Sequence, residues 1–426
     1  MSNPIISRKY YAVKVELVSP LSISNGQNYY TDSDIMRNSK GEVFIPGTSL
    51  AGAFRNYLGD DKKQESIYGF SENEKGGMSS LYISDLYFDT LPDHDAVRVS
   101  VRDGVALTEE KQAGNKFDME IIESGACGVI YFNYIVRQNR YSNEQYEEAV
   151  DSLIQAIQDG TVRIGANKNR GFGRLKVNAV CVREFTAADV EEYIAFKRSC
   201  SKIELYEEMP YETWVKGRRK PEEKYIRISV PLKLKGGISI RRYSTIPGQA
   251  DFEHITCNGK PVIPGSSWNG AIRSSIREIL KSLGHVKPEK IVEKWFGKAE
   301  IGKKDMSAVQ SMIVFGESVI EGAEALPMTR NKVGRFDASA LALYSEIAYF
   351  GGHTVLEIMV RKDSDRDYLA LLGILMFVIE DMQKGYLAVG GQTAIGRGIF
   401  EKDPEKEVEY SEAVSREECL AELCSL

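Results

Sequence analysis

The sequence predicts an α+β protein made of two tandem ferredoxin-like units, each of the order β-α-β-β-α-β and each interrupted by long loop insertions. Three observations carry this. Residues 44–55 read FIPGTSLAGAFR and residues 262–273 read VIPGSSWNGAIR, identical at 7 of 12 positions, with Gly47 and Gly265 218 residues apart. A glycine-rich segment then closes each half, Gly165 with Gly171-Phe172-Gly173 and Gly390 with Gly396-Arg397-Gly398, and here Gly165 and Gly390 are 225 residues apart. Two motifs recurring in one order at nearly one offset mark a duplication. Around them, segments of period two and period 3.6 follow each other in the same succession in both halves.

The first strand of each copy shows alternation: Tyr11, Val13, Val15 and Leu17 in one, Ile226, Ile228, Val230, Leu232 and Leu234 in the other. Period two predicts a half-buried strand. After the Pro-Gly turn, Leu50, Ala53, Phe54, Tyr57 and Leu58 take helical spacing, as do Trp268, Ala271, Ile272 and Ile276, with Thr48 or Ser49 and Ser266 or Ser267 as expected N-caps. A second helix starts at Ser142 and stops at Gly160; its counterpart spans 365–384 and stops at Gly385. Strands are expected at 81–88, 129–136 and 162–177, then at 312–320, 354–360 and 386–400. The expected domains are 1–183 and 223–426, joined by a linker, 184–222, with a short helix capped by Thr186 and Asp189. Insertions at 20–44, 90–125, 236–262 and 321–352 are too long for a compact unit without a role of their own.

Composition narrows the function classes. At 426 residues, 42% hydrophobic and 27% charged, the chain is expected to be folded and soluble. The longest apolar stretch, 368–379, is too short to span a bilayer and reads as a buried helix. With no secretory pattern at the start, a cytoplasmic location is expected, without a membrane partner. Six cysteines without a C-x-x-C pair and only four histidines argue against a structural zinc site or a disulfide framework. A net charge of −6 lacks the basic footprint of a free-standing nucleic-acid binder, so any polyanion must be held locally. The basic run at 216–220 reads as a solvated linker.

Locally, the Pro-Gly turns are candidate phosphate sites. Gly47, Thr48 and Ser49, and Gly265, Ser266 and Ser267, would present backbone N–H groups and hydroxyls at a helix start, with Arg55 and Arg273 nearly two turns on. The alternative is a capped helix with a surface arginine. The glycine-rich segments do not open a helix and so do not match a dinucleotide fingerprint. They read either as a close backbone approach, with Lys168, Arg170, Arg174 and Arg397 supplying charge, or as a glycine bulge. Upstream of each turn lie Thr31-Asp32-Ser33-Asp34 and Ala250-Asp251-Phe252-Glu253-His254. Asp32 and Asp251 are either turn formers or carboxylates able to hold a hydrated divalent cation beside a phosphate.

These pieces, with Val101-Arg102-Asp103-Gly104 and Phe117-Asp118-Met119-Glu120, resemble the RAMP superfamily of CRISPR proteins, specifically the backbone subunit of type III effector complexes, here as a fusion of two copies. The resemblance implies a subunit that lies along a guide RNA, presses a thumb between bases and cleaves the paired single-stranded target RNA with a loop aspartate. It places Asp32 at the catalytic position, followed by Arg37, and Asp251 at the matching place in copy two, where Phe252 follows and no arginine stands at the place of Arg37. A divalent cation, magnesium above all, is implied at both aspartates, and other type III subunits are implied as partners. The chemistry implied is attack of the RNA 2′-hydroxyl on the adjacent phosphate. One alternative is a non-catalytic scaffold or cap subunit of the same complex. Another is a guide-processing RNase acting through a loop histidine, for which His254 is the available residue.

Overall fold

The computed structural model describes residues 4–24, 26, 30–59, 65, 67–72, 75–89, 97–107, 113–138, 142–199, 203, 206–243, 250–298 and 309–426; the beginning of the insertion expected at 90–125, residues 90–96, lies outside them. The chain divides into two units, Met1–Ala166 with Phe172–Glu222, and Asn167–Gly171 with Glu223–Leu426.

In the first unit the elements are β1 (Ile5–Leu17), α1 (Gly47–Leu58), β2 (Leu81–Ile83), a hairpin of β3 (Val99–Leu107) and β4 (Ala113–Ile122), β5 (Cys127–Arg137), α2 (Asn143–Gln158), β6 (Leu175–Thr186) and α3 (Val190–Arg198). The sheet runs β6-β1-β5-β2, each neighbour antiparallel, with Glu208–Pro210 added beside β6. One sheet face is covered by α1 and α2, whose Leu50, Phe54, Val150 and Ile154 pack with Tyr11, Val13, Val15 and Leu17. The expected half-burial of β1 is exceeded. Its other face, at Tyr10 and Ala12, is covered by Phe196 of α3 and Ile203.

The expected linker at 184–222 is thus folded onto the first unit. Trp214 is fully buried, and the Arg218 guanidinium lies 4.2 Å from its ring centre and 3.0 Å from the Asp151 carboxylate. Part of the basic run is therefore held down by packing rather than solvated. Ser142 caps α2 as expected, there within a full capping box with Gln145, and the predicted capping box of Thr186 and Asp189 is present. At α1 the cap differs from expectation: Pro46, in extended conformation, is the N-cap, and Thr48 and Ser49 lie inside the helix. Proline supplies the fixed φ that ends the preceding strand, and Ser49 N–H closes the turn on the Pro46 carbonyl at 2.9 Å.

The second unit repeats the plan with β7 (Tyr225–Lys235), α4 (Gly265–Ser282), β8 (Ile313–Phe315), a hairpin of β9 (Glu324–Val333) and β10 (Ala340–Phe350), β11 (His353–Arg361), α5 (Asp367–Gln383) and β12 (Ile399–Lys402). Its sheet order is β8-β11-β7-β12, the same order as in the first unit read from the other edge. Pro264 caps α4 as Pro46 caps α1, so Ser266 and Ser267 are likewise interior. The apolar stretch at 368–379 is the buried helix α5, with Leu371, Leu372, Ile374, Leu375 and Val378 in the core. Among the described residues no helix is long and apolar enough to cross a membrane. Both insertions between the middle strands prove to be ordered β-hairpins where described, rather than irregular loops.

Candidate functional site

The glycine-rich segments are superimposable in their backbone states. Gly165, Asn167, Gly171 and Gly173 have positive φ, and so do Gly390, Gln392, Gly396 and Gly398, with a single 3-10 turn inside each. Their close approach is to the chain itself, to the stretch that follows the first strand of each copy. Ala166 N–H donates to the Ser22 carbonyl and Gly391 N–H to the Ser239 carbonyl, both at 2.8 Å. The next carbonyl along that stretch holds the aspartate loop: Met36 N–H donates to Ile23 and Ile255 N–H to Ile240, again at 2.8 Å. Two consecutive residues therefore form a shelf that fixes the glycine-rich turn and the aspartate loop together.

On this shelf Asp34 takes the turn-forming role that the sequence left open for Asp32. Asp34 is the turn former; it is buried and accepts Thr31 N–H and the Thr31 hydroxyl, each at 2.9 Å. Asp32 is exposed. Its own N–H donates to Asp118 Oδ1 at 2.8 Å, and its Oδ2 accepts Asp118 N–H at 3.1 Å. In the second copy Asp251 N–H donates to Ser345 Oγ at 3.0 Å, and Asp251 Oδ2 accepts both the Ser345 N–H, at 2.8 Å, and its hydroxyl, at 3.0 Å. Those two donated bonds hold the Asp251 carboxyl below the usual range. Each loop aspartate is thus clasped by the second strand of its hairpin, β4 or β10.

Arginines brace both clasps, from places the sequence did not disclose for copy two. Arg37 forks onto Glu120 of β4 at 2.8 and 2.9 Å, and Glu120 also accepts Ile35 N–H at 3.0 Å. The Arg37 hydrogen bonds hold Glu120 below the usual carboxylate range. In copy two the buried Glu346 of β10 receives Arg241 at 3.2 Å, Arg330 at 2.9 Å and the Gln392 amide at 2.5 Å. The arginine absent from the place of Arg37 is replaced by two, Arg330 from β9 and Arg241 from the short strand that pairs with Phe252–His254. A cation–π contact further ties each hairpin to its glycine-rich segment, with the partners exchanged: Arg102 of β3 over Phe172 at 5.6 Å, and Arg397 over Phe350 of β10 at 4.5 Å.

The remaining expected contacts are spread more widely. Lys168, Arg170 and Arg174 are exposed around the first glycine-rich turn, and Arg55 is exposed on the last turn of α1. Arg273 is half-buried over the Phe296 ring at 5.9 Å, and burial and then Arg277 push its pKa down. The turn at Gly47 is positioned by a separate strand pair, Phe44–Ile45 with Leu86–Tyr87, and its N–H donates to Asp85 Oδ1 at 2.7 Å. An internal carboxylate therefore takes the N–H that the phosphate reading assigned to a ligand.

His254 is fully engaged in structure. Its Nδ1 accepts Ile240 N–H and its Nε2 lies on the Val262 carbonyl, both at 3.0 Å, which sets the neutral tautomer with the proton on Nε2. A buried imidazole with both nitrogens used does not serve as a loop catalyst. Burial pushes its pKa down to about 4. The unfolded chain takes up this proton near pH 6.5, so His254 supports folding fully above that value and loses its contribution as the pH falls towards 4. The loss is on the order of 3 kcal/mol. His254→Gln should flatten the difference between urea midpoints at pH 7 and pH 4.5, while an unchanged difference would contradict the buried neutral ring.

Among the described residues no three His, Cys, Asp or Glu side chains converge on one point. The described residues do not by themselves make a cation cage. In copy one the exposed Asp32 offers one carboxylate to a hydrated magnesium ion that takes its other ligands from water and phosphate, while Asp118 Oδ1 is committed to the Asp32 N–H. Copy two offers one carboxylate, Asp251, beside a hydroxyl. A family model, that of the RAMP superfamily, matches residues 14–176 and 231–401, one stretch in each half. No curated protein matches the chain.

Proposed function

The chain belongs to the RAMP superfamily as two tandem copies, and on that premise we propose that it is the backbone subunit of a type III CRISPR effector complex, binding guide RNA and cutting paired target RNA once per copy. Membership itself makes it a CRISPR-associated RNA-binding protein. We read each unit as ferredoxin-like from its strand order. The observation that carries the cutting role is the repeated clasp, an exposed loop aspartate fixed to a hairpin strand in both copies.

The nucleophile in this chemistry belongs to the substrate. The 2′-hydroxyl oxygen of the target attacks the adjacent phosphorus, the bond to the 5′-oxygen breaks, and a cyclic phosphate and a 5′-hydroxyl result. The chain has to hold the backbone in line and keep a carboxylate at the reacting phosphate. Asp32 and Asp251 hold that place, and Lys168, Arg170 and Arg174 offer charge to neighbouring phosphates. A divalent cation, when bound by Asp32 or Asp251, supplies neutralisation of the charge that develops on phosphorus. The hairpins supply the thumbs. The second ends in Arg335 and Phe336, whose side chain is fully exposed at 102%, and Leu326, Leu341 and Leu343 are exposed along it. An apolar, aromatic-tipped hairpin of this kind suits stacking on splayed bases.

Expressed together with its genomic neighbours, the full chain should copurify with a short RNA of defined length, and that assembly should cut a labelled complementary RNA while leaving the matching DNA intact. Copurification without RNA would refute the proposal. RNA retained without cutting would leave the scaffold reading.

A further inference from the structure

We infer that Asp118 and Ser345, on the second hairpin strands, are positioning residues that aim the loop aspartates of their respective copies. The inference rests on the reading of Asp32 and Asp251 as the cutting residues. Three observations support it. The clasp has the same two-way form in both copies: the aspartate N–H donates to the hairpin side chain, and the hairpin N–H donates to aspartate Oδ2. The residue types differ, a carboxylate in one copy and a hydroxyl in the other, so the shared property is a short side chain that accepts a hydrogen bond.

The loops are also anchored without the clasp. Asp34 closes the turn of copy one, Glu120 accepts Ile35 N–H, and Ile23 accepts Met36 N–H. In copy two the His254 ring and the Ile240 carbonyl do the same. The clasp is exposed, and an exposed hydrogen bond adds little to stability. What it does set is the direction of one carboxylate: the hairpin side chain fixes the aspartate N–H, and with that backbone held one carboxylate oxygen meets the hairpin N–H in both copies.

Third, the clasp reaches across the fold, joining residues 86 positions apart in copy one and 94 apart in copy two, and in each case the far end is the hairpin proposed to meet RNA. The aspartate is therefore registered to the thumb as well as to the shelf, so a thumb seated between bases carries the carboxylate to the phosphate beside it. Reaction rates are steep in such placement: a shift of about 1 Å is enough to cost roughly a hundredfold.

The test uses the RNA-loaded assembly containing the full chain and an end-labelled complementary RNA. Asp118→Ala removes the acceptor for Asp32 N–H and should slow the copy-one cut by about tenfold to a hundredfold at saturating target, leaving target affinity and the copy-two cut unchanged. Asp118→Asn and Asp118→Ser restore an acceptor and should bring that cut back to within about threefold of the parent, as expected of a positioning role. Ser345→Ala should slow only the copy-two cut, which keeps the test available should the Asp118→Ala chain fail to fold. Parental rates in both alanine variants, in an assembly where Asp32→Asn and Asp251→Asn abolish cutting, would overturn the inference and leave the function standing. Undiminished cutting by the two asparagine variants would instead overturn the function, and the inference with it.

Discussion

Asp32→Asn should abolish one of two cuts in the target RNA, by at least about a hundredfold, and Asp251→Asn should abolish the other. The substitution is nearly isosteric, and the clasp explains why it should spare the fold. An asparagine carbonyl oxygen can still accept Asp118 N–H, or the N–H and hydroxyl of Ser345, while the N–H of residue 32 or 251 continues to donate across the clasp. Only the negative charge is lost, and with it the capacity to hold a cation against the phosphate. Assembly, guide retention and target affinity should match the parent. The two sites lie in different units, so each single variant should remove its own cut without slowing the other. Chelation of divalent cations should stop both. Mapping cleavage products on a sequencing gel decides the matter: a double variant that retains every cut would eliminate the enzyme reading.

Much of the plan was legible because it is local or repeated. The cap at Ser142 and the capping box at Thr186 need only a few consecutive residues, and they form as read. The buried helix α5 follows from the longest apolar stretch of the sequence, 368–379. The offsets of 218 and 225 correspond to one set of backbone states used twice, down to the two non-glycine positions in left-handed conformation, Asn167 and Gln392. What stayed hidden depends on partners distant in sequence. Nothing around Ser345 distinguishes it as the counterpart of Asp118, and nothing around Arg241 or Arg330 announces that both converge on Glu346. Arg397 looked like a phosphate ligand because its charge is visible in the sequence and its stacking on Phe350 is not. The caps at Pro46 and Pro264 were misread for a different reason: serine and threonine are the commoner caps, but a proline with fixed φ ends a strand and starts a helix in one step.

The glycine-rich turns bear the largest expected effect on folding, at Gly398 and Gly173. A Cβ on Gly398 would lie 1.8 Å from the Val389 carbonyl oxygen, and one on Gly173 1.8 Å from that of Ile164, each at a positive φ. Neither residue can shift to relieve this. Gly398 donates to the Gly237 carbonyl at 2.8 Å and accepts Val389 N–H at 2.9 Å, and Gly173 makes the matching bonds to Pro20 and Ile164. Moving the backbone would break a buried pair of hydrogen bonds and pull on the shelf that carries the aspartate loop. Gly398→Ala should therefore cost about 4 kcal/mol or more, lowering Tm by roughly 10 °C in a unit of this size. Gly396→Ala is the internal control, because it shares a positive φ but has no atom within 4 Å of its Cβ. It should cost only the left-handed backbone penalty, about 1–2 kcal/mol. Calorimetry of the two variants separates steric closure from backbone preference. Equal losses of Tm would mean that the turn needs glycine for its φ alone, and the tight seat of the glycine-rich segment against its own strand would no longer explain why it recurs in both copies.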